Sequence, residues 1–114
     1  MTYKQYNFCV AEAENYDDLD EYVSDLSLSS VWGDAPDTPI PLGRLDQLRS
    51  IYAAVNRPVR EIVSAAGMTQ AAVTVRLCIP RRTLQDWCRG VRECPPYTRL
   101  MMQQCLGLFT PPVQ

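Results

Sequence analysis

Apolar residues recur every three or four positions along much of the chain, which is the spacing of one face of an α-helix. The first such pattern covers residues 2–14. A second follows Asn15, which we expect to cap it, with Asp17 and Asp18 in its first turn. No segment alternates with the period of two that is typical of a half-buried β-strand. The pattern therefore predicts an all-α protein.

Proline and glycine residues mark the ends of the other elements. Residues 27–41 indicate a linker or an ordered loop, from which Val31 and Trp32 dock on a core. Pro41 then opens a longer helix. Four shorter helices are predicted over residues 59–66, 69–77, 81–89 and 96–106, because Gly67, Pro80, Gly90 and Gly107 interrupt the pattern. We divide the chain into an acidic helical lead with its loop, residues 1–40, and a helical module, residues 41–114.

The composition is that of one small globular domain. Of the 114 residues, 46% are hydrophobic and 21% are charged. No apolar stretch approaches the roughly 18 residues that a membrane span needs, and the first residues do not resemble a signal peptide. We therefore expect no membrane partner and a cytoplasmic protein, whose five cysteines stay reduced and serve mainly as core residues.

Histidine is absent from the chain. This excludes a histidine general base, a nucleophile activated by histidine, and a histidine metal ligand. The cysteine spacing does not match a zinc site either. We expect no enzyme activity, no catalytic residue, no metal site and no cofactor.

The net charge of −2 is the sum of two opposed parts. Residues 1–38 carry nine acidic residues against Lys4, a net −8, whereas residues 39–114 carry ten arginines against four acidic residues, a net +6. Arginine presents a planar fork of donors that suits phosphate groups and guanine. The basic part is therefore a candidate for nucleic-acid binding.

The predicted helices at residues 69–77 and 81–89 lie three residues apart. Thr69 caps the first, in which Ala71, Thr74 and Leu77 are expected to share the inward face. In the second helix Leu84 and Trp87 face inward. Its outward face then consists of Arg81, Arg82, Gln85 and Arg89. A short helix with an apolar back and an Arg/Gln front, held by a preceding helix, suits reading of the DNA major groove.

Residues 58–108 resemble the helix-turn-helix proteins of the lambda-repressor and Cro-like superfamily (xenobiotic response element type). The resemblance rests on Met68-Thr69-Gln70-Ala71, on Leu77 and Ile79, and on the run from Arg81 to Trp87 followed by Arg89-Gly90. Two positions depart from the family pattern. Cys78 stands where the turn usually has glycine, and Cys88 stands where an acidic residue often follows the tryptophan. More loosely, residues 21–25 and 32–41 resemble small proteins from bacterial mobile elements.

The resemblance implies sequence-specific binding of double-stranded DNA by a small transcriptional regulator of a phage or mobile element. Arg81, Arg82 and Gln85 are expected to contact bases, and Arg76, Arg89 and Arg92 to contact phosphates. The full predicted DNA-binding set is Gln70, Arg76, Arg81, Arg82, Thr83, Gln85, Arg89 and Arg92. Regulators of this kind often dimerise to span two half-sites, so a homodimer remains open.

The acidic lead supports an alternative function. In that case the chain is a protein-interaction module, an inhibitor or nucleic-acid mimic, on a helix-turn-helix scaffold. Its acidic residues 12–21 would then bind a basic protein partner.

Overall fold

The computed structural model describes all 114 residues and contains seven α-helices and no β-strand, which confirms the all-α prediction. The helices are α1 (Tyr3–Ala13), α2 (Leu19–Ser27), α3 (Leu42–Asn56), α4 (Val59–Ala65), α5 (Gln70–Leu77), α6 (Arg81–Arg89) and α7 (Pro96–Cys105). A short 3₁₀ helix, Ser30–Trp32, lies between α2 and α3. None of the helices is long and apolar enough to cross a bilayer.

Contacts divide the chain into two compact units. The first unit comprises residues 1–56 and 111–114, and the second unit comprises residues 57–110. We expected a boundary near residue 40, but α3 packs against both α1 and α2 and belongs with them. The last residues return to the first unit, where the Gln114 N–H donates to the Met1 carbonyl at 3.2 Å and the Met1 amino group donates to the Pro112 carbonyl at 3.1 Å.

Side-chain caps fix where α1 and α2 begin. At α1, the Thr2 hydroxyl accepts from the Gln5 amide, and the Gln5 side chain accepts from the Thr2 amide, which forms a capping box. At α2, the Asp18 carboxylate accepts from the Glu21 amide at 2.9 Å. The expectation that Asn15 caps α2 is therefore wrong, because the charged Asp18 carboxylate occupies the positive end of this helix.

Three tyrosine rings pack against one another in the first unit, one pair edge-on and the other tilted. The ring centroid of the fully buried Tyr22 lies 4.9 Å from that of Tyr52 and 5.6 Å from that of Tyr16. The Tyr22 hydroxyl donates to the Cys9 carbonyl at 2.8 Å, and the Tyr52 hydroxyl donates to the Tyr16 carbonyl at 2.8 Å. Burial raises the pKa of the Tyr22 phenol, so it stays a donor. These contacts join α1, α2 and α3.

The loop before α3 is ordered by Arg44. The guanidinium lies 4.4 Å from the Trp32 ring centroid, and its two terminal nitrogens donate to the two carboxylate oxygens of Asp34 at 2.6 and 3.1 Å. This pairing lowers the pKa of Asp34. The Trp32 indole N–H donates to the Leu26 carbonyl at 2.7 Å. Trp32 therefore docks on the first unit, as its apolar character predicts.

The second unit has an apolar core of its own. Its buried members are Val59, Ile62, Val63, Val73, Leu84, Cys94 and Met102, contributed by α4 to α7 and the loop before α7. Helix α6 packs against both α4 and α5. In α5 the buried residue is Val73, whereas Ala71, which we expected on the inward face, is exposed. At about 100° per residue the two positions lie roughly 200° apart around the helix, so Ala71 faces outward when Val73 packs on the core.

Candidate functional site

The turn between α5 and α6 consists of Cys78, Ile79 and Pro80. Cys78 has a left-handed backbone, with φ 55° and ψ 38°. The amides of Cys78 and Ile79 both donate to the Thr74 carbonyl, which closes α5 as a C-terminal capping motif does. Cys78 thus adopts a conformation that usually favours glycine. Pro80 follows with φ −56° and leads directly into α6.

Helix α6 separates its apolar and basic residues on opposite sides. Leu84 is completely buried, and Trp87 packs against the same core, although it is only half-buried. At about 100° per residue, the outward side chains occupy one arc of roughly 100°. These are Arg81, Gln85, Arg89 and Arg82, all of them exposed except the half-buried Gln85. The arc, which we call the α6 face, is rich in hydrogen-bond donors.

Backbone hydrogen bonds close the C-terminal end of α6. Gly90 ends α6 in the left-handed conformation, φ 75°, and the amides of Gly90 and Val91 donate to the Asp86 carbonyl. The Asp86 carboxylate lies 3.9 Å from Arg82 Nε; the side chain of Arg82 is 88% exposed. The Asp86 side chain is only 15% exposed, but the solvent around Arg82 screens this long contact, which contributes about 0–1 kcal/mol. The Arg82 guanidinium therefore remains available to a ligand.

The other predicted residues are spread around the same unit. Gln70 is exposed at the start of α5, where Thr69 caps the helix by accepting from the Ala72 amide. Arg76 is exposed in the last turn of α5, and Arg92 is exposed after α6. Thr83 is half-buried and falls about 100° outside the arc of the α6 face. The structure therefore groups four of the predicted side chains on α6 and leaves Thr83 apart from them.

The two units carry net charges of opposite sign. The second unit carries eight arginines against Glu61, Asp86 and Glu93, a net +5. The first unit carries Lys4, Arg44 and Arg49 against ten acidic residues, a net −7. No carboxylate lies within 4 Å of the guanidinium groups of Arg76, Arg81, Arg89 or Arg92. The basic side chains of the second unit are thus not neutralised by close acidic neighbours.

Sequence reasoning missed the surroundings of Trp87. This side chain lies between two clefts, to which Arg60 and Arg99 also contribute. Arg60 belongs to α4 and Arg99 to α7, so only the packing of the helices brings them near α6. No local sequence signal could have grouped them.

All five cysteines are free thiols, and no group of three or more Cys, Asp or Glu side chains is placed to hold a metal ion. Burial raises the pKa of the Cys94 thiol, the one in the core of the second unit, to about 11. That thiol is therefore uncharged at neutral pH. Comparisons of the chain with protein-family models, with curated proteins and with solved structures find no match.

Proposed function

We propose that the protein binds double-stranded DNA in a sequence-specific manner, as a small cytoplasmic transcriptional regulator with a lambda-repressor-like helix-turn-helix. The observation that carries the proposal is the α6 face. Arginine and glutamine side chains share one exposed side of a short helix, whose other side is anchored by the fully buried Leu84. A rigid helix of this kind, with a basic front, fits the width of the major groove.

Each side chain of the α6 face has a matching group on DNA. The guanidinium forks of Arg81 and Arg82 suit the two acceptors of guanine, and the Gln85 amide suits the donor and acceptor of adenine. Arg76 in the last turn of α5, Arg89 in the last turn of α6 and Arg92 just after α6 suit the phosphates, which fix position but carry no sequence information. The resemblance to regulators of phages and mobile elements suggests the biological setting.

The experiment is a selection of duplexes from a random library, followed by binding measurements on variants. Arg82→Ala and Gln85→Ala should each cost about 1–3 kcal/mol on the selected site and relax specificity at one base pair. Arg92→Ala should weaken binding to all duplexes alike and reduce the salt dependence. Arg49→Ala is the matched control, because Arg49 is an exposed arginine of the first unit.

Two results would contradict the proposal. One is a selection that yields no duplex bound better than bulk DNA. The other is an equal loss of affinity from Arg49→Ala and Arg82→Ala, because only the latter alters the α6 face.

The charge of the first unit favours a second candidate function, binding of a basic protein partner. Its net −7 is carried largely by exposed side chains, among them Asp17, Asp20 and Glu21 of the α2 region. A nucleic-acid mimic would compete with DNA for such a partner. Substituting Asp17 and Asp20 with asparagine should then weaken the interaction, whereas Arg82→Ala should leave it unchanged.

A further inference from the structure

The two tryptophans of the chain differ in how their polar atoms are used. The Trp32 indole N–H donates to the Leu26 carbonyl, and Arg44 covers its ring. The Trp87 indole N–H donates to no atom of the protein. Among buried polar side-chain atoms, only the Tyr6 hydroxyl lacks a hydrogen-bond partner. The Trp87 indole nitrogen also lacks a partner and is not one of these buried atoms, so it is accessible to solvent. Trp87 is therefore both a packing residue and an unused hydrogen-bond donor.

Two adjoining clefts of about 330 Å³ and about 240 Å³ share Trp87, Pro58 and Gly90 in their walls. The larger cleft also contains Arg92, Glu93 and Arg99, and the smaller one contains Arg60 and Arg89. We call the two clefts together the Trp87 groove. All of its residues belong to the second unit. Its size is at the lower end of the range for small-molecule sites.

Positive charge dominates the Trp87 groove. Arg60, Arg89 and Arg92 are exposed, and no carboxylate lies within 4 Å of their guanidinium groups. Glu93 is the single acidic residue in the walls. Arg99 is oriented by its own contact, because its guanidinium donates to the Cys94 carbonyl. The groove thus combines several cationic forks with one aromatic ring.

This combination selects for a ligand that has both an anionic group and a flat ring. Arginine forks bind phosphate oxygens in pairs, and nucleobases stack on tryptophan. A carboxylate such as that of Glu93 accepts hydrogen bonds from sugar hydroxyls or amino groups. A nucleotide carries all of these groups in a molecule that suits a small cleft.

We propose that the Trp87 groove binds a free nucleotide, with the base against Trp87 and the phosphate between the arginines of the groove. This inference goes beyond the proposed DNA binding, because it assigns a small ligand to a second site. Arg89 belongs to both the Trp87 groove and the α6 face. A bound nucleotide would therefore engage one of the side chains expected to contact a DNA phosphate.

The test follows the two indole N–H signals of the isotope-labelled wild-type protein by NMR during titration with AMP, GMP, CMP and UMP. At least one nucleotide should shift the Trp87 signal in a saturable manner, with an affinity of about 1 mM or tighter, and leave the Trp32 signal in place. Ribose 5-phosphate, which lacks the base, adenosine, which lacks the phosphate, and inorganic phosphate, which lacks both base and sugar, should each bind at least about tenfold more weakly.

Variants separate this site from its surroundings. Arg92→Ala should weaken nucleotide binding about tenfold, and Arg49→Ala should leave it unchanged. Both arginines are exposed, so neither change threatens the fold. Gln85→Ala should keep the nucleotide-induced shift even where DNA binding is lost. Failure of the DNA proposal is therefore distinguishable from failure of this one.

Three results would overturn the inference. The Trp87 signal could fail to shift with any of the four nucleotides. Inorganic phosphate could act as strongly as the nucleotides, which would make the groove a simple anion site. A single-stranded oligonucleotide could bind more tightly than every nucleotide, which would make the groove a path for a strand.

Discussion

At the scale of single residues, Cys78 is the most informative position of the turn between α5 and α6. Its φ of 55° lies in the left-handed region, where a side chain meets the backbone and costs roughly 1–2 kcal/mol. Glycine avoids this cost but loses part of the gain through the greater entropy of the unfolded chain. The sequence alone showed that a cysteine stands in this turn. It did not show that this cysteine adopts a left-handed backbone conformation.

Cys78→Gly should therefore raise the free energy of unfolding by about 0.5–1 kcal/mol, measured by urea denaturation. Cys78→Ala is the control, because it removes the thiol and keeps the Cβ atom that causes the strain. Equal stabilisation by both changes would show that the thiol, and not the backbone, is responsible. Cys105→Gly, at the end of α7 where no left-handed residue is needed, should instead destabilise.

At the scale of elements, the helix boundaries followed closely from the sequence where strong signals lie at both ends. Helix α6 covers the predicted residues because Pro80 and Gly90 delimit it. The inward face of α5 was harder to predict. In a helix of eight residues the pattern fits more than one face, and the crossing with α6 selects Val73. The exposure of Trp87 was also not predictable from α6 alone. This side chain is half-buried because two clefts, lined in part by residues of α4 and α7, open beside it.

The Tyr22 hydroxyl links α2 to α1 through a hydrogen bond to the Cys9 carbonyl. Tyr22→Phe removes this buried hydrogen bond, whereas the backbone bonds of α1, to which the Cys9 carbonyl belongs, remain. The free energy of unfolding should fall by about 0.5–1.5 kcal/mol, as measured by urea denaturation. Tyr3→Phe is the matched control, because Tyr3 is 70% exposed and should change stability very little. An equal effect of the two substitutions would mean that the Tyr22 hydroxyl contributes nothing specific.

At the scale of the whole molecule, a −7 unit and a +5 unit are joined in one chain. Deleting residues 1–38 would not isolate the effect of this charge, because it would also remove α1 and α2 from the core they form with α3. Point substitutions of exposed carboxylates are the cleaner test. Asp17 and Asp20 are both exposed, and neither caps a helix.

The double variant Asp17→Asn/Asp20→Asn should bind DNA a few-fold more tightly at about 0.01 M salt, where the Debye length is about 30 Å. The gain should largely vanish at about 0.15 M, where that length is about 8 Å. Asn15→Gln, a neutral change at a neighbouring exposed site, is the control. A gain that persists unchanged at the higher salt would indicate that these carboxylates cover the DNA-binding surface directly.

The contact of Gln114 with Met1 has a consequence for the order in which the chain can be completed. The second unit is one continuous segment, inserted between two parts of the first. During synthesis all residues of the second unit are therefore made before residues 111–114 of the first unit. The first unit thus begins earlier than the second but receives its last residues later. Because residues 1 and 114 are in contact, a short linker from residue 114 to residue 1 should give a folded circular permutant with new ends at the exposed turn of Pro36 and Asp37. In such a permutant, residues 111–114 would be made immediately before Met1, with which they form hydrogen bonds.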